Sequence, residues 1–291
     1  MLADRVSVLR DGENAGDLNR EEISHDRMVQ MMVGRDVSQY YNHTPQQCDE
    51  VVMEVESLRT TAFPLHELSF KVRRGEILGV SGVVGAGRTE MLQAIFGSVA
   101  KVAGTVRVRG VEIDSQTPVG AIAAGIALVP EDRKLHGLVV DMTVRQNMSL
   151  PGLRQNRVGQ AFINFEVEDS VTTEMIARLG IKTPHEDQIS RYLSGGNQQK
   201  VVLGKWLSLK PSVLLLDEPT RGIDVGAKQE IYQLMEELAA KGMAIVFVSS
   251  ELEEILGMSD RVLVMHEGCI SGELAREELS EEAIMHLATS S

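Results

Sequence analysis

The sequence predicts an α/β fold built on a mostly parallel sheet, and three stretches carry that prediction. Glu76-Ile77-Leu78-Gly79-Val80-Ser81 runs into Gly82-Val83-Val84-Gly85-Ala86-Gly87-Arg88-Thr89, an apolar strand followed by a glycine-rich turn that opens a helix. Val213-Leu214-Leu215-Leu216-Asp217-Glu218 is an apolar run ending in two carboxylates. That is the pattern of a strand buried on both faces, which delivers acids into the crevice at the sheet's C-terminal edge. Leu193-Ser194-Gly195-Gly196-Asn197-Gln198-Gln199-Lys200 precedes it by one short helix, and Ser194 suits a helix N-cap.

The remaining elements follow in chain order. Residues 51–56, 67–70, 76–81 and 104–109 are expected strands, and 88–96 a helix that turns Met91, Leu92 and Ile95 inward. The apolar run 119–129 ends at Pro130 and is too short to span a bilayer; a helix and then a strand over 126–129 fit it better. Residues 142–150 and 167–179 are expected helices of a smaller helical subdomain, joined to the core by 133–141. A helix from near Asn197 buries Val202, Leu203, Trp206 and Leu207 at helical spacing, which makes Trp206 a core residue rather than a stacking platform. Residues 244–248 are the next buried strand.

The turn at 82–89 fits the phosphate loop G-x-x-x-x-G-K-[ST] at every position but one. Gly82, Gly85, Ala86 and Gly87 let backbone N–H groups curl round a phosphate, the helix aims its positive end at it, and the Thr89 hydroxyl suits Mg²⁺. Arg88 replaces the lysine. A planar guanidinium does not substitute for a compact ammonium between β- and γ-phosphates, so binding is expected to survive while transition-state alignment suffers. Asp217 is expected to orient Mg²⁺, and Glu218, on the other face of the strand end, to accept a proton from water attacking the γ-phosphate. Each piece alone has a packing or capping explanation; strand before loop and helix after it, in this order, point to ATP.

These motifs resemble the nucleotide-binding domain of ABC transporters over about residues 51–291. Gly87-Arg88-Thr89-Glu90, Pro130-Glu131-Asp132-Arg133-Lys134, Ser194 through Lys200 and Thr220-Arg221-Gly222-Ile223-Asp224-Val225-Gly226 resemble bacterial monosaccharide importers of the ribose, galactose and xylose type. The resemblance implies a P-loop NTPase core with an antiparallel β subdomain and a helical signature subdomain at about 138–209. It also implies two nucleotide-binding domains in one polypeptide, of which this is the second. Three positions depart from the family: Arg88 for lysine, Glu131 where a glutamine senses γ-phosphate, and Ser250 where a switch histidine follows the strand. Phe63 stands near the family's adenine-stacking aromatic, with a core role almost as good. In such dimers one domain's phosphate loop faces the other's signature. Intact Ser194-Gly195-Gly196, with Asp224, would therefore complete a site whose loop lies in the first domain.

Residues 3–24 repeat 259–280 with eleven of 22 positions identical, far above the one or two that chance gives, which marks a duplication. Residues 1–36 are therefore expected to be the tail of a first domain and 37–50 a polar linker. Truncation and a misplaced start codon both explain such a beginning.

Composition narrows the partners. Twenty-nine Lys and Arg against 42 Asp and Glu give a net charge of −13, and aromatic residues are only 4%, which argues against nucleic acid. Cys48 and Cys269 have no metal or redox spacing, and the histidines show no ligand pair. The expectation is a cytoplasmic ATPase subunit, peripheral on the cell membrane through an integral sugar permease. It would serve a periplasmic or lipid-anchored sugar-binding protein indirectly and pair with a second nucleotide-binding domain. A non-catalytic, regulatory or truncated ABC protein is the alternative.

Overall fold

The computed structural model describes residues 4–10, 13–23, 31, 43–45, 49–153, 157–158 and 162–289. Strands β1 (Arg5–Arg10) and β2 (Glu13–Asn19) form a hairpin. Next come β3 (Val51–Thr60), β4 (Leu68–Arg73), β5 (Ile77–Gly82), helix α1 (Arg88–Phe96), β6 (Lys101–Val108), β7 (Val111–Glu112), α2 (Pro118–Ala123) and β8 (Ile126–Val129). Then follow α3 (Val144–Ser149), β9 (Arg157–Val158), β10 (Phe162–Ile163), α4 (Phe165–Leu179), α5 (Gly195–Leu207), β11 (Val213–Asp217) and α6 (Val225–Ala240). The described chain closes with β12 (Ala244–Val248), α7 (Leu252–Met258), β13 (Arg261–His266), β14 (Cys269–Ala275) and α8 (Glu281–Thr289).

The central sheet has the order β14-β13-β5-β12-β11-β8, parallel except for the edge strand β14. Residues of β8, β11 and β12 are buried throughout, as strands covered on both faces must be, and this is why their sequences do not alternate. A second, antiparallel sheet runs β4-β3-β6-β7, and β4 alternates buried and exposed side chains in the pattern of a sheet with one wet face. Helices α3, α4 and α5 pack on one another as the helical subdomain.

Several boundaries move from the expected ones for local reasons. Strand β6 stops at Val108 because Arg109 turns into left-handed backbone with φ 50°. Helix α3 starts at Val144 because Thr143 forms a capping box with Gln146. Helix α5 starts two residues before Asn197, at Gly195, because Ser194 is its cap. Trp206 is buried and meets Phe96 edge-on at 5.5 Å, which supports its core assignment.

The β1–β2 hairpin repeats β13–β14 in detail. Arg5 pairs with Asn19 as Arg261 pairs with Ala275, and both ladders carry a bulge immediately after Val8 or its counterpart Val264. Most of the expected linker and Cys48 lie outside the described residues.

One residue of the expected linker is buried among charged partners. The His43 side chain is 1% exposed between two carboxylates, with Nδ1 2.6 Å from Glu236 and Nε2 2.9 Å from Asp260. Asp260 also accepts from the Ile77 amide, and Glu236 from the Thr44 amide. Burial lowers the imidazole's affinity for a proton, but the hydrogen bonds from Asp260 and Glu236 outweigh it and raise the pKa from 6.5 to about 9. His43 therefore stabilises the fold fully below pH 6.5 and loses that contribution as pH rises through about 9. The melting temperature of a His43→Gln variant is expected to lie roughly 5 °C below wild type at pH 6, since charge-assisted bonds contribute about 1.5–3 kcal/mol. The gap should close by about pH 10 as the proton leaves; a constant gap across this range would refute the ion-pair account.

Candidate functional site

Strand β5 ends at Gly82, and the chain curls back before entering α1. Gly87 caps α1 in left-handed backbone, φ 95°, a conformation only glycine takes without strain. Gly85 faces open space, since a Cβ built there would meet nothing within 4 Å. The loop therefore leaves an open cradle at a helix N-terminus, the arrangement that receives phosphate. Phe63 does not sit in the core: its ring packs on the backbone of Gly87 and Gly268 and stacks with His66 at 6.3 Å.

The first turn of α1 meets the ends of β11 and β12. Thr89 Oγ1 donates to Asp217 Oδ1 at 3.2 Å. Asp217 is 2% exposed, and burial pushes its carboxyl up to about 6; the Thr89 bond opposes this and the neighbouring Glu218 charge adds to it. A hydroxyl and a buried carboxylate beside an open phosphate cradle are a donor set that fits Mg²⁺.

Glu218 follows in left-handed backbone, φ 47°, with its amide donating to Val248 O at 3.0 Å. A non-glycine residue held there is strained, and such strain collects at working sites. Ser250 Oγ donates to Glu218 Oε2 at 3.0 Å. Arg88 reaches from the loop to the ends of β11 and β12. Its Nη1 donates to Ser249 O at 2.9 Å and its Nη2 lies 3.9 Å from Glu218 Oε1, with both side chains 11% exposed. Across the cleft, Glu131 at the end of β8 pairs with Arg221. Gly85, Ala86, Gly87, Arg88, Thr89, Glu131, Glu218 and Ser250 thus surround one cleft of about 500 Å³.

Ser194, Gly195, Gly196 and Asp224 do not line it. Ser194 caps α5, its Oγ accepting from Asn197 Nδ2 at 2.9 Å, and Asp224 caps α6, accepting from the Ala227 amide at 2.9 Å. A Cβ on Gly196 would come within 2.6 Å of Ala227 Cβ, so glycine allows the two helix starts to touch. Arg133 connects this surface to the cleft by donating to the carbonyls of Arg221 and Gly222 at 2.9 and 3.2 Å, beside Gly195.

Two groups escaped the sequence reading. Arg221 enters the sequence reading only within the 220–226 motif, without a role at the cleft it lines, because a turn has no periodicity to mark it. Glu254 belongs to an acidic helix start and resembles a surface residue, yet it is fully buried and accepts from Thr220, Tyr232, Ser249 and Lys228 at 2.6–2.9 Å. It ties the turn after Glu218 to the turn holding Ser249 and Ser250.

The sequence pattern of the ABC transporter family matches residues 65–221, more than half of the chain. The chain belongs to the ABC transporter family. The match takes in the phosphate loop, Glu131, the Ser194-Gly195-Gly196 signature, Asp217 and Glu218. This ABC domain is 46% identical over 288 residues to a ribose import ATP-binding protein RbsA of Bacillus cereus, covering 99% of this chain and 58% of that protein. It is 44% identical over 294 residues to the xylose import ATP-binding protein XylG of Histophilus somni, with coverages of 99% and 58%. The chain thus spans little more than half the length of these relatives. Among solved structures, a nucleotide-free ATP-binding cassette from an ABC transporter superposes with a TM-score of 0.70 at 21% identity, over 83% of this chain and 100% of that one. Another cassette in its ADP conformation gives 0.67 at 22% identity, over 83% and 99%. These likenesses establish the ABC cassette fold.

Proposed function

We propose that this chain binds Mg-ATP as the energising module of a bacterial importer for a monosaccharide such as ribose or galactose. The observation that carries the reading is the cleft itself, where the open phosphate cradle, Thr89 on Asp217 and Ser250 on Glu218 converge. The identity to ribose and xylose import proteins over nearly the whole chain supports the sugar assignment. The repeated hairpin, with its matching bulge, supports a first copy of the domain as partner. An integral-membrane permease, and through it a sugar-binding protein, would hold the chain on the cytoplasmic face; among the described residues no helix is long and apolar enough to cross a membrane.

The loop amides and the N-terminal end of α1 bind the phosphates, and Thr89 with Asp217 would hold Mg²⁺, which would supply charge neutralisation. Glu218 Oε2, oriented by Ser250, takes the proton of the attacking water. Arg88 lies 3.9 Å from the same carboxylate, and its planar guanidinium does not reproduce the compact charge of a lysine beside phosphates. The own cleft therefore binds nucleotide but turns it over slowly. Exposed Ser194, at the positive end of α5, completes the productive site against the first domain's loop. The Arg88 substitution also favours a second reading, a nucleotide-binding regulator without turnover.

The test is transport-coupled ATPase activity of the full two-domain protein reconstituted with its permease. Ser194→Arg places a bulky cation where phosphate must approach and is expected to cost about 100-fold or more, while Arg88→Ala costs a few-fold. Retained activity in Ser194→Arg with loss in a folded Arg88→Ala would reverse the assignment of the two sites.

A further inference from the structure

At the opposite end of the sheet, the starts of β11 and β12 open on a second cleft of about 560 Å³. It lies about 15 Å from Asp217 along five-residue strands. Five cations line it, contributed by five separate segments: Arg74 after β4, Arg109 between β6 and β7, Arg178 in the last turn of α4, Lys210 after α5, and Lys241 after α6. Only one carboxylate, Glu50, joins them, pairing with Arg74 at 3.4 Å. In a chain of net charge −13 this is a local reversal of sign.

Folding does not call for that reversal. Lys241 is neutralised by Glu237, which also interacts electrostatically with Arg178, but Arg109 and Lys210 make no ion pair among the described residues. Arg109 and Lys210 are both held in left-handed backbone, φ 50° and 52°, where glycine or asparagine would be less strained. Arg74 lies across Gly242, whose Cβ, if present, would come within 2.6 Å of the guanidinium. The floor between the cations is apolar, formed by buried Val52, Leu207 and Leu238.

We propose that this cleft binds a small phosphate-bearing metabolite, separate from the nucleotide of the phosphate loop. A concave surface lined by one sign of charge concentrates counter-ions. Three guanidiniums offer paired N–H donors matched to phosphate oxygens. The volume exceeds what inorganic phosphate needs and falls within the range of about 300–1,000 Å³ typical of metabolite pockets. The apolar floor suits the body of a sugar or base carrying the phosphate groups. Because the cleft adjoins the ends of α4, α5 and α6, an occupant would touch the helical subdomain and the core together.

The test is calorimetric titration of inorganic pyrophosphate, and then of ribose 5-phosphate, into the chain with the phosphate loop saturated by ADP. Saturable binding is expected in wild type, weakened about tenfold or more in Arg109→Glu/Lys210→Glu. It should be unchanged within about twofold in Lys71→Glu, an exposed charge outside the cleft. If the double variant melts early, the single Arg178→Gln replaces it and should still weaken binding severalfold. Absence of a saturable event in wild type, or equal weakening in Lys71→Glu, overturns the proposal. So does cleft-dependent sedimentation with phosphatidylglycerol vesicles without binding of either soluble anion, which would identify a lipid surface instead.

Discussion

Glu254→Ala is expected to lower the melting temperature by roughly 10 °C, the loss of about 3–5 kcal/mol. The carboxylate has no access to solvent and is the acceptor for hydroxyls of Thr220, Tyr232 and Ser249 and for the Lys228 ammonium. Truncation leaves Thr220 and Ser249 buried beside a void, and unmade buried hydrogen bonds cost about 1–3 kcal/mol each. Lys228 keeps Glu251 as a second partner, so the penalty comes mainly from the hydroxyls. Glu254→Gln retains an acceptor oxygen and should recover about half of the loss. A melting point within about 2 °C of wild type for the alanine variant would show that the network does not support the cleft.

Arg88→Lys together with Ser250→His is expected to raise ATP turnover of the isolated chain about tenfold or more, exceeding the product of the single effects. Both groups act on Glu218: Arg88 lies 3.9 Å from one carboxylate oxygen and Ser250 bonds the other. Lysine would release the guanidinium from Ser249 O and return a compact charge to the phosphates. Histidine would reach past the short serine toward the γ-phosphate. A double-mutant cycle of phosphate release measures the coupling. Strict additivity, or no gain with nucleotide binding retained, would place the limiting lesion elsewhere, with Glu131 and its Arg221 partner the next site to alter.

How much of this was legible depended on range. The buried strands over 126–129 and 244–248 were found at their true bounds, because uninterrupted apolar residues next to Pro130 or a turn leave little freedom. The turn at 82–89 was legible from its strand–turn–helix spacing, and Asp217 and Glu218 from the apolar run before them; that Thr89 meets Asp217 across 128 positions was not. The direction of Arg88 was not, since its partner Ser249 O lies 161 positions away. Nor was His43, a lone histidine in a polar segment whose carboxylate partners are about two hundred positions distant. Glu254 failed for the opposite reason: its neighbours Glu251 and Glu253 give it the local signature of a solvated helix start. The cationic cleft escaped because its five charges come from five separate segments, and no sequence window contains them.

In the proposed function the cleft at the phosphate loop holds nucleotide in a geometry poor for hydrolysis. Steady-state phosphate release by the isolated chain at saturating Mg-ATP tests it most directly. Turnover well below about 1 s⁻¹, the low end of ordinary enzymes, is predicted, with ATP binding intact. Turnover at or above that rate, abolished by Glu218→Gln, would contradict it.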